Sequence, residues 1–257
     1  MTSFRQQLKE NRRLLGTMVT LPAPAVAELL VGIGFDWLFL DAEHGPLQLA
    51  ELADLLRAVA GRVPCAVRTP ANNEAAIKQI LDLGADGIIV PQVNSPEEAA
   101  AVVQYAKYAP EGARGVGLAR AHGYGLNFQE YVENANDNVA VIVQAEHIDA
   151  VNRIEEIVEV PGIDGVIIGP YDLSASMNKM GQVTDPEVTG AIDRVTQACQ
   201  AKGLALVCQS VIESLRSIRG SLRLEPQSEW AARPWRSGYP LSKHSEVLRR
   251  TWHEAQL

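Results

Sequence analysis

Short apolar runs alternate along this chain with stretches whose apolar residues recur every three or four positions. The runs are Leu14 to Thr20, Asp36 to Asp41, Pro64 to Thr69, Gly87 to Gln92, Val139 to Glu146, Gly165 to Pro170 and Leu204 to Gln209. Runs this short and continuous fit strands buried on both faces. The intervening stretches, Ala25–Leu30, Leu47–Val59, Asn73–Leu83, Ser95–Lys107, Ile148–Val158 and Asp185–Lys202, carry helical periodicity. Ser95-Pro96-Glu97-Glu98 and Asp185-Pro186-Glu187 read as helix starts, each with a capping side chain, proline in the first turn and acid beside it. Leu83-Gly84-Ala85-Asp86-Gly87 and Pro161-Gly162-Ile163-Asp164-Gly165 each close a helix and open a strand, as a repeated βα unit does.

This alternation predicts an α/β protein, a TIM (β/α)8-type barrel ahead of an open doubly wound sheet. No Gly-x-Gly-x-x-Gly follows the first strand, so a dinucleotide site has no support. At 257 residues a barrel is one domain. In a barrel, chemistry collects where strands end, at the C-terminal face.

Composition narrows the class of ligand. A formal net charge of −8 argues against nucleic acid or an anionic membrane as partner and favours small molecules. No apolar run reaches the length of a membrane span, and Met1-Thr2-Ser3-Phe4-Arg5-Gln6-Gln7 lacks a signal peptide's apolar core, so a cytoplasmic protein is expected. Cys65, Cys199 and Cys208 are widely spaced, without a CxxC pair or zinc-type spacing, and read as buried free thiols.

Ionisable residues gather just past the apolar runs. The second run ends in Asp41-Ala42-Glu43-His44-Gly45-Pro46, the third in Arg68-Thr69-Pro70, the fifth in Gln144-Ala145-Glu146-His147 and the sixth in Gly169-Pro170-Tyr171-Asp172-Leu173-Ser174. Glu146 and Asp172, on neighbouring strands, can offer oxygen ligands to Mg²⁺ or Mn²⁺ and leave positions for water and substrate. Facing them, His44 can move protons and the planar guanidinium of Arg68 can hold an oxygen that gains charge. Taken singly, Asp41 and Glu43 read as loop acids and Arg68 as a strand-end partner of Asp41. His147 follows Glu146 on a strand, where side chains alternate, and so is expected to point away from the site. His122 and Tyr124 lie in a glycine-rich loop that either caps the site or is only a connection, and Asp82 reads as surface charge on a helix.

Those segments, together with Phe35 to Pro46, Val67-Arg68-Thr69-Pro70, Gly87-Ile88-Ile89-Val90-Pro91 and Gly112-Ala113-Arg114-Gly115, closely resemble the metal-dependent class II pyruvate aldolases of the HpcH/HpaI aldolase/citrate lyase family, with the motifs in order from about Leu14 to Gly203. The resemblance implies a barrel enzyme, a carbon–carbon lyase that cleaves a 4-hydroxy-2-oxo acid reversibly to pyruvate and an aldehyde, with oxaloacetate decarboxylation as a side reaction. It implies Glu146 and Asp172 as ligands of Mg²⁺, Mn²⁺ or Co²⁺, Arg68 at the keto oxygen and His44 as catalytic base for the 4-hydroxyl, oriented by Asp41. It also implies Gln144 as a positioner of water and substrate, backbone amides around Gly169 and Pro170 for the pyruvate carboxylate, Asp82 as an acid that in some relatives approaches a neighbouring subunit's site, and a homotrimer or homohexamer. A Schiff-base barrel is the weaker reading, because Lys78, Lys107 and Lys202 fall in helical patterns.

The pattern changes after about Val207. Residues 208–257 hold eight Lys or Arg against five Asp or Glu and three of the four tryptophans, without a run apolar enough for a strand. The expectation is a catalytic barrel over residues 1–207, followed by an atypical basic, Trp-containing tail over 208–257 that reads as out of frame with the family. An open barrel would expose two sheet edges, so the rival functional reading is an inactive or unstable remnant of a damaged gene, at most an interaction partner.

Overall fold

The computed structural model describes residues 2–10 and 12–207. Seven parallel strands form one curled sheet in strict chain order: β1 (Gly16–Val19), β2 (Trp37–Asp41), β3 (Cys65–Arg68), β4 (Gly87–Val90), β5 (Ala140–Ala145), β6 (Gly165–Ile168) and β7 (Ala205–Val207). Every expected strand is present within its predicted run. Nearest-neighbour order with all strands parallel is the topology of a (β/α) barrel wall and not of a doubly wound sheet, whose strand order reverses at its centre. The basic tail, its tryptophans, Cys208 and the question of an eighth strand lie outside the described residues.

Helices cover the outer face: α2 (Pro24–Ile33), α3 (Leu49–Val59), α4 (Glu74–Asp82), α5 (Pro96–Ala106), α6 (Phe128–Asn138), α7 (Ile148–Asn152), α8 (Ile154–Ile157) and α10 (Pro186–Lys202), with α9 (Pro170–Ser176) directly after β6. The Ser95 hydroxyl accepts from the Glu98 N–H and the Asp185 carboxylate from the Glu187 N–H, so both predicted starts are capped as expected. One predicted helix, Ile148–Val158, is two short ones that meet at Arg153.

The two-residue period of the strands divides the core. Leu38, Leu40, Val67, Ile88, Val90, Val141, Val143, Val166 and Ile168 face the helices in one apolar cluster. Trp37, Phe39, Ala66, Ile89, Ala140, Ile142 and Ile167 face the barrel interior in a second. Continuing the interior parity by two residues brings β2 to Asp41, β3 to Arg68, β5 to Gln144 and then Glu146, and β6 to Gly169, so alternation puts these positions on one inner face. His147 falls on the opposite parity. It caps α7, accepting from the Asp149 N–H at 3.2 Å.

The opposite end of the barrel is closed by α1 (Phe4–Lys9), an element absent from the sequence reading. Its Phe4 and Leu8 join the interior cluster, with Phe4 5.4 Å from Trp37 between ring centroids. Arg5 Nε donates to both oxygens of Asp164 at 2.8 and 3.0 Å, and its Nη1 donates to the Asn136 carbonyl at 2.7 Å. Lys107, fully buried, donates to the Asn136 and Val139 carbonyls at 2.7 and 2.6 Å. Cation donors therefore satisfy carbonyls at the end of α6 and the entry to β5 that water would otherwise reach.

Candidate active site

The site is built on the register of β2 and β3, which places Asp41 directly beside Arg68. The guanidinium meets that carboxylate in a two-pronged pair, Nε to Oδ1 at 2.9 Å and Nη2 to Oδ2 at 2.7 Å. Both residues are buried. The remaining nitrogen, Nη1, lies 3.1 Å from Glu43 Oε2 and donates to Gln144 Oε1 at 3.3 Å. Asp41 thus fixes two nitrogens of the fork, and the third faces the cluster of Glu43, Gln144 and Glu146 through its longest contacts.

Burial lifts the Asp41 carboxyl, but the Arg68 hydrogen bonds and charge, aided by the backbone N–H groups of His44 and Glu43, more than offset it and hold the group below the ordinary carboxylate range. Glu43 goes the other way. Burial raises it and the like charge of Glu146 adds to the rise, against the opposing charge of Arg68. Its Oε2 is buried and accepts no hydrogen bond.

Glu146 is 2% exposed. Oε1 accepts from the backbone N–H of Gln92 at 2.8 Å and from Gln92 Nε2 at 3.0 Å, while Oε2 accepts from Gln144 Nε2. All these donors are neutral amides. A buried carboxylate is costly to keep ionised without a cation, so this donor set suits a site that receives one. Gly169 is the residue whose lack of a side chain makes room here: a Cβ would stand 2.9 Å from Glu146 Cβ and 3.3 Å from Gln144 Nε2.

Asp172 lies in the first turn of α9, exposed and just past the end of β6. With Glu146 it provides two carboxylates at the ends of neighbouring strands. No group of three His, Cys, Asp or Glu suited to a metal forms among the described residues. Two carboxylates still fit Mg²⁺ or Mn²⁺, ions that keep waters and take further oxygens from substrate.

Several expected positions differ in detail. Asp41 does not meet the imidazole of His44: its Oδ1 accepts from the backbone N–H groups of Glu43 and His44, at 3.1 and 3.3 Å, and so shapes the loop that carries the ring. The ring itself, with its side chain 66% exposed, has Nε2 3.7 Å from Glu43 Oε2. A spacing of three residues in a loop fixes the backbone and leaves ring direction open. The amide expected at Gly169 is already donated to the Ala145 carbonyl at 3.1 Å, and Pro170 has no N–H. The first-turn N–H groups at this bend are those of Tyr171 and Asp172, which lack a carbonyl four residues back within the helix.

His122 is buried away from this cluster. Its ring accepts from the Gly125 N–H, hydrogen-bonds with Gly117 and Ala119, and packs on Phe128 and Tyr131, so it pins its own loop. Asp82 accepts from Arg114 Nη2 at 2.7 Å. Gln92 was hidden in the sequence inside an apolar run, though as a polar residue just past a strand it obeys the rule that flagged the others.

Arrangement and sequence agree on a class, a (β/α)-barrel enzyme with an acid, amide and guanidinium cluster at the strand C-terminal ends. The chain belongs to the HpcH/HpaI aldolase/citrate lyase family, whose match spans residues 15–223 and so continues past Val207. It is 42% identical over 215 residues to a protein of Rhodococcus jostii named 4-hydroxy-2-oxovalerate aldolase, covering 83% of each chain. It is 40% identical over 205 residues to a Klebsiella pneumoniae protein named 4-hydroxy-2-oxo-heptane-1,7-dioate aldolase, covering 79% of this chain and 77% of the other. A crystal structure of a family member from Burkholderia cenocepacia matches it with a TM-score of 0.79 at 30% identity, over the whole of both chains. These likenesses favour a carbon–carbon lyase over an inactive remnant.

Proposed function

We propose that the chain is a divalent-metal-dependent pyruvate aldolase, cleaving a 4-hydroxy-2-oxo acid reversibly to pyruvate and an aldehyde. The observation that carries this reading is the convergence of Arg68, Gln144 and buried Glu146 on one inner face at the strand ends, with Glu146 satisfied only by amide donors. Glu146 and Asp172 would hold Mg²⁺, Mn²⁺ or Co²⁺. When bound, the cation supplies Lewis-acid charge at the 2-oxo acid.

The chain's own groups do the rest. Asp41 holds Arg68 by Nε and Nη2, leaving Nη1 to meet the keto oxygen as it gains charge on cleavage of the C3–C4 bond. Substrate entering there displaces only the longer contacts to Glu43 and Gln144. A preorganised donor at that oxygen stabilises the enolate of pyruvate, the role a lysine Schiff base fills in other aldolases. His44 takes the proton of the 4-hydroxyl, and its exposed ring can return a proton to solvent. Gln144 positions water and substrate, and the Tyr171 and Asp172 N–H groups receive the substrate carboxylate at the Gly169–Pro170 bend.

Oxaloacetate decarboxylation is expected from the same site because it passes through the same enolate. A cytoplasmic location and a trimeric or hexameric assembly belong to this proposal; no described helix is long and apolar enough to cross a membrane.

Pyruvate release should be followed from 4-hydroxy-2-oxo acids of differing tail length, after chelation and after adding back Mg²⁺, Mn²⁺ or Co²⁺. Chelation should abolish turnover and a divalent ion should restore it. Full turnover by metal-free protein, or no pyruvate from any of these acids, would sink the proposal.

A further inference from the structure

Gln92 is exposed and stands two residues past β4, yet it makes the most complete set of contacts to the buried Glu146 carboxylate of any single residue. Backbone N–H and side-chain Nε2 converge on the same oxygen, Oε1, at 2.8 and 3.0 Å. That convergence needs an unusual backbone. Gln92 has φ +56°, one of three non-glycine residues with positive φ among the described residues. L side chains rarely adopt this conformation, and strain of this kind persists where the surroundings impose it, most often at functional sites. The turn aims the N–H of residue 92 at the neighbouring strand's carboxylate and folds its own amide back onto the same atom.

Resting on the metal-dependent reading above, we infer that Gln92 is a positioning residue for the divalent cation: it occupies Oε1 of Glu146 with two hydrogen bonds and so fixes the direction in which the carboxylate presents Oε2. Gln144, the donor to Oε2, is a single contact whose other end is already engaged with Arg68, so it is the partner that can yield. A ligand carboxylate whose hydrogen bonds come from neutral amides is oriented without being tied up in an ion pair, and outer-shell partners of this kind typically change metal affinity by about 10- to 100-fold when lost.

The test is Mn²⁺ binding by calorimetry to the full chain after chelation, with the melting temperature of each metal-free protein measured in parallel. Gln92→Leu keeps the bulk and removes the amide. Gln92→Gly removes the amide while relieving the left-handed backbone and keeping the N–H. Both variants should bind Mn²⁺ more weakly than wild type, Gln92→Leu by about 10- to 100-fold. Gln92→Gly should lose affinity without losing melting temperature, a separation that a merely structural residue would not give. If both variants bind Mn²⁺ like wild type, or if affinity falls only in step with melting temperature, Gln92 does not position the metal ligand. If wild type itself binds no Mn²⁺, the metal-dependent reading fails with it, and the two failures are thereby told apart.

Discussion

On the proposed function, Arg68 is a structural pair and a chemical group in one side chain. Its two short bonds to Asp41 tie β2 to β3, the bland role the sequence also allowed, and the same bonds immobilise the fork so that Nη1 faces the site. Lysine would keep the charge and lose the second prong, so Arg68→Lys should lower both aldol cleavage and oxaloacetate decarboxylation. Normal rates in both reactions would remove Arg68 from the site. His44 should separate the two reactions. Cleavage needs a base at the 4-hydroxyl, and decarboxylation of oxaloacetate has no such hydroxyl. His44→Ala should therefore depress cleavage more than decarboxylation by roughly 10²- to 10⁴-fold, the usual contribution of a general base. Equal losses in the two rates, measured on one preparation, would assign His44 to binding instead. Asp41, Arg68, Gln144 and Glu146 were legible because each stands out as a polar residue at the end of an apolar run, and the period of two carries the inner face from the apolar core to them without a break. The direction of the His44 ring and the turn at Gln92 were not legible, since both are set by loop backbone that no periodicity describes.

Among the elements, the strands were legible because continuous Val and Ile runs have few other uses in a chain of this length, and α1 and α6 were not. In α6 polar residues dominate the sequence Phe128–Asn138, with Ala135 its buried residue, so no apolar stripe announces it. For α1 the six residues are too few to show a period, and the helix exists because the barrel's lower end needs a plug. Phe4 and Leu8 fill the interior and Arg5 reaches Asp164, whose other role is to accept the Val141 N–H at 2.9 Å. Removing one member of such a pair leaves a buried charge unpaired, a loss of about 3–5 kcal/mol. Arg5→Met should destabilise the fold by an amount in that range. Asp164→Asn added to it should recover part of the loss, because the amide oxygen still accepts from Val141 and carries no charge. Denaturant midpoints of the two variants test this; a double variant no more stable than Arg5→Met would refute the charge argument.

For the molecule as a whole, Asp41, Glu43 and Glu146 gather round Arg68 at the upper end, where the proposed chemistry lies, and buried Arg5 and Lys107 close the lower end. The two ends should respond to pH differently. Burial, with Arg5 nearby as a like charge, pushes Lys107 down from its ordinary value of 10.5 to about 8. A lysine depressed in the folded state has released its proton there while the unfolded chain still holds one, so stability must rise with pH between about 8 and 10.5 and fall as pH drops through about 8. The slope from one such group is at most about 1.4 kcal/mol per pH unit. Buried Cys65 and Tyr108 act oppositely, because burial raises both and the folded state then keeps protons that the unfolded chain loses near 9 and 10. The informative window is therefore pH 8 to 9, which reaches only the ordinary thiol value and stays below that of tyrosine, so the lysine's rise outweighs the thiol's fall. Unfolding free energy measured across it should climb for the wild-type chain and drift slightly downward for Lys107→Met, as the Cys65 thiol begins to ionise in the unfolded chain, whatever the absolute stability lost with the two carbonyl bonds. Parallel curves for the two proteins would mean that Lys107 keeps its proton in the folded state, and that its bonds to Asn136 and Val139 are those of an ammonium throughout.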